Sequence, residues 1–100
     1  RALYDLLAVL APGPMVTLNR IVAVAMVDGP RGALDLLDVA ALDPALQGHH
    51  RVDAVRAHLL EELGEQARAR AHYLLAAERT HNLPEQRYLL ARAGRISSDG

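Results

Sequence analysis

Residues 57–76 read AHLLEELGEQARARAHYLLA, with one glycine near the middle and alanines on either side of it. Leu63-Gly64 is followed by Ala69 and then Ala76, and Ala57 stands twelve residues before Ala69. Ala57 and Ala69 lie at similar distances from the Gly64 turn. If the chain doubles back there, two small residues meet and two backbones approach closely. The same beat occurs 36 residues earlier, where Val27-Asp28-Gly29 is followed by Ala33 and Ala40. A period in the mid-thirties with small residues at fixed offsets marks a repeated helix-turn-helix unit.

Working outward from these units, the periodicity predicts six helices and no sheet. Leu3, Leu6, Leu7 and Leu10 form one stripe over 1–11, stopped by Pro12-Gly13-Pro14. A second helix over 14–27 is apolar nearly all round, which points to the central position. Arg20 in this helix is expected to point outward or to bridge to Asp5 or Asp35. Gly29 and Pro30 make a tight connection into a third helix over 30–42, with Ala33, Leu34, Leu36, Leu37 and Ala40 facing inward. Asp43-Pro44 opens a single turn that ends at Gly48. Val52, Val55, Leu59, Leu60 and Leu63 form the stripe of a fourth helix over 49–63, closed by Gly64 as a left-handed cap. A fifth helix over 65–80 buries Ala69, His72 or Tyr73, and Ala76. Asn82-Leu83-Pro84-Glu85 reads as a capping box that starts a sixth helix ending near Arg95. The expected domain is 1–95, with 96–100 as a tail.

Composition narrows the function. Ala and Leu dominate, Phe and Trp are absent, and only Tyr4, Tyr73 and Tyr88 are aromatic. The absence of cysteine excludes disulfides and thiolate metal sites. Lysine is also absent, and the formal net charge is −1. Neither half has the basic surplus that phosphate neutralisation requires, so direct nucleic-acid binding by this chain is not expected. The apolar run 21–27 is too short to span a bilayer. The start at Arg1-Ala2-Leu3-Tyr4 reads as a cut from a longer protein.

Chemistry has little to work with. Ser97 and Ser98 are in the tail, and Thr17 and Thr80 sit at helix ends where capping explains them. His58 and Glu62 share a helix face at i, i+4, and His72 is expected near His58 across the turn, so three metal ligands can in principle converge. Without an HExxH pair, the histidines read better as surface or half-buried groups. No catalytic residue, cofactor or metal is expected.

The second unit resembles the tetratricopeptide repeat (TPR) at Ala57, Leu60, Leu63, Gly64, Ala69, Tyr73 and Ala76. The first matches at Val27, Ala33, Leu37 and Ala40, with Ile21 where a small residue belongs. The implied fold is an all-α, TPR-like right-handed array of about six antiparallel helices, with a final capping helix. In such arrays the first helix of each pair lines a concave groove. The groove residues are then Leu18, Val22, Ala25 and Met26 on one side, with Arg20 as an orienting group, and Arg51, Ala54, His58, Glu61 and Glu62 on the other.

A second resemblance covers nearly the whole chain. Leu3-Tyr4-Asp5-Leu6-Leu7, Pro14, Leu18-Asn19-Arg20, Val22-Ala23-Val24-Ala25 and Gly29-Pro30 are similar to the C-terminal extension of a group of extracytoplasmic-function (ECF) RNA polymerase sigma factors encoded beside DGPF/YCII-like proteins. Leu36-Leu37-Asp38, His50, Arg56-Ala57, Leu60, Leu63-Gly64, Ala69, Asn82, Glu85 and Arg87-Tyr88-Leu89 add to the match. The resemblance implies a cytoplasmic regulatory domain that contacts the N-terminal sigma regions, RNA polymerase or a protein regulator; a homodimer is also open. The rival readings are a stand-alone TPR adaptor for a peptide or helix, and an enzyme or metal protein using His58, Glu62 and His72.

Overall fold

The computed structural model describes residues 14–96, and these form five helices with no strand among them. They are α1 (Pro14–Asp28), α2 (Pro30–Ala40), α3 (His50–Glu62), α4 (Gln66–Arg79) and α5 (Leu83–Ile96). The expected helix over 1–11 lies outside the described residues, as does 97–100. Ile96 does not begin a tail: it is the last residue of α5 and is buried. Its aliphatic side chain holds the last turn against the core.

The connections follow from a few local residues. α1 and α2 are separated by Gly29 alone, at φ 96°, and its N–H donates to the Ala25 carbonyl at 3.0 Å. A side chain there would be strained, because L-residues avoid that region. Pro30 occupies the start of α2, where its missing N–H is no loss. After α2, Asp43 Oδ1 accepts from the Ala45 N–H at 2.9 Å and the Asp43 carbonyl accepts from Leu46 at 2.8 Å. That turn delivers Leu46 into the core, a plug the periodicity does not reveal. Gly64, at φ 83°, ends α3. The Glu65 N–H returns to the Leu60 carbonyl and the Gly64 N–H to that of Glu61, the paired bonds of a Schellman cap.

The alanine beat describes the packing well. Ala33, Ala57, Ala69 and Ala76 have no exposed surface, and Leu37 and Tyr73, at equivalent offsets, are also fully enclosed. Ile21 and Ala57 correspond and are both buried. The correspondence weakens at the helix ends, where Ala40 is half-buried and Val27 is 82% exposed. Each helix packs on the next, and α3 also packs on α1.

Two expectations are corrected. The central helix is α3, which buries Arg51, Val52, Asp53, Ala54, Val55, Ala57, Leu59 and Leu60. α1 leaves Val16, Met26 and Val27 largely exposed. The sequence hides this because α3 pairs its inward polar groups with neighbours and so looks amphipathic. In α2, Leu36 is 47% exposed rather than inward-facing. Ala33 and Leu37, four residues apart, already fill the face that meets α1 and α3.

Candidate protein-interaction surfaces

The expected groove residues separate into three groups. Leu18, Val22, Ala25, Arg51 and Ala54 are buried, none more than 7% exposed, so they line no open groove. α3 packs against α1 and takes the space that a ligand would need. Glu61 is held internally: its Oε1 accepts from the Tyr73 hydroxyl at 2.8 Å and from the Arg92 guanidinium. Arg92 also lies over the Tyr73 ring, 5.9 Å from its centroid. Burial, reinforced by the Glu61 hydrogen bond, pushes the Tyr73 phenol above its ordinary pKa. Burial opposes the Arg92 charge, but its bonds to Glu61 and Tyr73 outweigh that and raise its pKa.

The third group faces solvent. Arg20 and Met26 are exposed on α1, and Glu62 is exposed on α3. His58 is half-buried, with Nε2 3.5 Å from Glu62 Oε2. Arg20 makes no ion pair with Asp35; Asp5 lies outside the described residues. His72 does not turn toward His58. Its Nδ1 sits 3.1 Å from Asp53 Oδ1, and Asp53 Oδ2 also accepts from Arg79 at 2.8 Å. The side chain that α4 buries at this level is Tyr73, and no group of three potential metal ligands converges among the described residues.

The most enclosed polar cluster was not foreseen. Glu85, 2% exposed, receives the Thr80 hydroxyl at 2.6 Å and stands 2.9 Å from His50 Nε2 and 3.2 Å from Arg51 Nη2. The capping box is therefore half formed. The Glu85 N–H donates to Asn82 Oδ1 at 2.8 Å, but the carboxylate leaves the cap for Arg51 and His50. Burial pulls the Arg51 pKa down while Glu85 opposes that. His50 is also lowered, by burial first, against the pull of Glu85. Its Nε2 lies 3.2 Å from Arg51 Nε and 2.9 Å from Glu85 Oε1, so one ring nitrogen faces both a donor and an acceptor and serves only one of them at a time. This cluster ties the start of α3 to the start of α5, and Glu61–Arg92 ties their far ends, so the two helices run parallel. One signal was available: Arg51 and Glu85 are 34 residues apart, a repeat length that puts them at equivalent places.

Two open apolar grooves lie among the described residues. One, of about 310 Å³, lies between α1 and α2 and is lined by Thr17, Arg20, Ile21, Leu36, Val39 and Ala40. The other, of about 260 Å³, lies between α4 and α5 and is lined by Leu74, Ala77, Glu78, Gln86 and Leu90. Both are mostly apolar, with one charged residue each. No described helix is long and apolar enough to cross a membrane.

No protein-family model matches the chain, and no solved structure gives a significant match. The chain is similar to "Uncharacterized protein R00370" of Rhizobium meliloti (strain 1021), with 33% identity over 97 residues. The match covers 97% of this chain and 22% of that protein, so the chain spans about a fifth of its relative's length.

Proposed function

We propose that this chain is the C-terminal regulatory domain of an ECF-type RNA polymerase sigma factor, a TPR-like right-handed helical array that binds protein. It acts through contacts with the N-terminal sigma regions, RNA polymerase or a protein regulator, in the cytoplasm. It takes no cofactor and performs no catalysis. The observation that carries the reading is burial at matching places in two successive helix pairs, Ile21 with Ala57, Ala33 with Ala69 and Leu37 with Tyr73. That pattern supports a stacked repeat, and stacked repeats present extended surfaces to partners. The sequence resemblance supplies the transcription context. In the Rhizobium relative the matched stretch is 22% of the chain, which suits a module joined to other regions.

The surface offered to partners is smaller than the sequence alone implies. Leu18 and Val22 belong to the interior and half-buried Glu61 is engaged by Tyr73 and Arg92, leaving Met26, His58 and Glu62 on the array face and Arg20 at the α1–α2 groove. The test is a reporter driven by the cognate promoter, in cells carrying the full-length parent protein. Met26→Asp combined with Glu62→Arg is expected to change promoter output or its regulation while the protein level stays constant. Unchanged output and regulation would remove this face from the reading. Unchanged transcription after deletion of the whole domain would remove the regulatory role.

A further inference from the structure

The two open grooves face opposite ways. A groove between two packed helices is reachable from two sides. α3 packs against both α1 and α2, yet contributes nothing to the α1–α2 groove, so that groove opens on the side away from α3. α3 also packs on α4 and pairs through Glu61 with Arg92 of α5, yet contributes nothing to the α4–α5 groove. The grooves thus lie at the two ends of the described stack. Each is edged by exposed apolar side chains, Leu36 (47%) and Val39 (68%) at one end and Leu90 (48%) at the other.

Charge distinguishes the ends. The single charged residue lining the first groove is Arg20; that lining the second is Glu78. Among the described residues, neither forms an ion pair. The surroundings differ in sign as well. The α1–α2 pair exposes Asp28, Asp35 and Asp38 beside Arg31, with Asp38 paired to Arg56 of α3, while α4 and α5 expose Arg68, Arg70, Arg79, Arg87 and Arg95, with Arg79 paired to Asp53. The chain also supplies the packing rule, because α3 already lies across the α1–α2 pair as one repeat on another.

We infer that a second copy of this chain docks head to tail. Its α1–α2 end meets the α4–α5 end of the first copy, with Leu36 and Val39 set against Leu74 and Leu90, and Arg20 opposite Glu78. The ridges of one end enter the groove of the other, as helices pack within a domain. Such a contact uses different surfaces on the two copies, so it leaves a free end at each side and extends by addition. This inference stands independently of the transcription reading.

The test is sedimentation velocity on the 100-residue chain over a concentration series at low ionic strength. The wild-type chain is expected to show a weight-average sedimentation coefficient that rises with concentration, and less steeply at high salt. Arg20→Glu and Glu78→Arg are each expected to weaken association by about tenfold or more. An equimolar mixture of the two variants retains one native contact, between wild-type Glu78 on one and wild-type Arg20 on the other. Its other junction sets the two substituted side chains, again of opposite sign, against each other, so the mixture is expected to recover open-ended association with the two variants alternating. The double variant Arg20→Glu/Glu78→Arg is expected to regain open-ended association. Both sites are exposed, so circular dichroism is expected to be unchanged throughout. A wild-type chain that stays monomeric up to about 1 mM overturns the inference, as when its own residues 1–11 cover the first groove. It is equally overturned by association that both single variants leave intact, or by a mixture that fails to pair.

Discussion

Tyr73 has no exposed surface, yet its hydroxyl ends on a carboxylate shared with Arg92. Removing that oxygen leaves the ring's packing in place and deletes one hydrogen bond to a charged acceptor. Tyr73→Phe is therefore expected to lower stability by about 1.5–3 kcal/mol, read as a shift in urea midpoint at unchanged slope. Ala69 poses the opposite problem, because it has no exposed surface and sits where α3 and α4 pack together. Ala69→Leu forces α3 and α4 apart and is expected to cost about 1–3 kcal/mol or more. A Leu that raised the midpoint would mean the alanine contact is not tight. Gly64 has nothing near an added Cβ, so Gly64→Ala is limited by backbone strain at φ 83° and is expected to cost about 1 kcal/mol.

The helices were easier to read than the groove, and particular residues show why. Leu-rich stripes, Pro30 and Gly64 are local signals, so α2 to α5 fall within a few residues of their expected bounds. Leu18 and Val22 were assigned to an open face because periodicity shows which side of a helix is apolar and is silent on what covers it. Glu61 reads as a solvated acid until Arg92, 31 residues later, is placed beside it. Glu85 satisfies a capping pattern that is correct for its N–H and wrong for its carboxylate, because a buried guanidinium competes better than a backbone amide.

Between α3 and α5, the Arg51–Glu85 pair replaces apolar packing with charge. Glu85→Ala strands a guanidinium in the interior and is expected to cost about 3–5 kcal/mol. The joint replacement Arg51→Met/Glu85→Leu is expected to recover most of that, which chemical denaturation of the three variants measures. His50 and His49 add a pH dependence at the start of α3. Both are held below the ordinary value of 6.5, by burial first. The unfolded chain therefore binds their protons more readily than the folded one. Their contribution is fully present above pH 6.5 and is lost as the pH falls below it. The melting temperature is expected to drop from pH 7.5 to 5, and the drop is expected to shrink in His49→Asn/His50→Gln. An unchanged drop in that variant would assign the acid sensitivity to other groups.

One continuous hydrophobic cluster runs from Leu18 on α1 to Ile96 on α5, and the radius of gyration is 12.4 Å, near the ~13 Å of a compact chain of this length. A single core of this kind is expected to unfold in one transition, with helix loss by circular dichroism coinciding with exposure of Tyr73 by tyrosine fluorescence. Separate midpoints would divide the array into independent halves.

The clasp between α3 and α5 bears on how the protein tolerates cutting. Terminal helices of stacked arrays often peel away and reanneal, but here a nick between Thr80 and Leu83 would free the segment that neutralises Arg51 and shields Tyr73. What remained would hold an orphaned cation and a bare aromatic at its newly opened flank. The last helix is a keystone, and its departure would turn a folded module into a substrate for proteases.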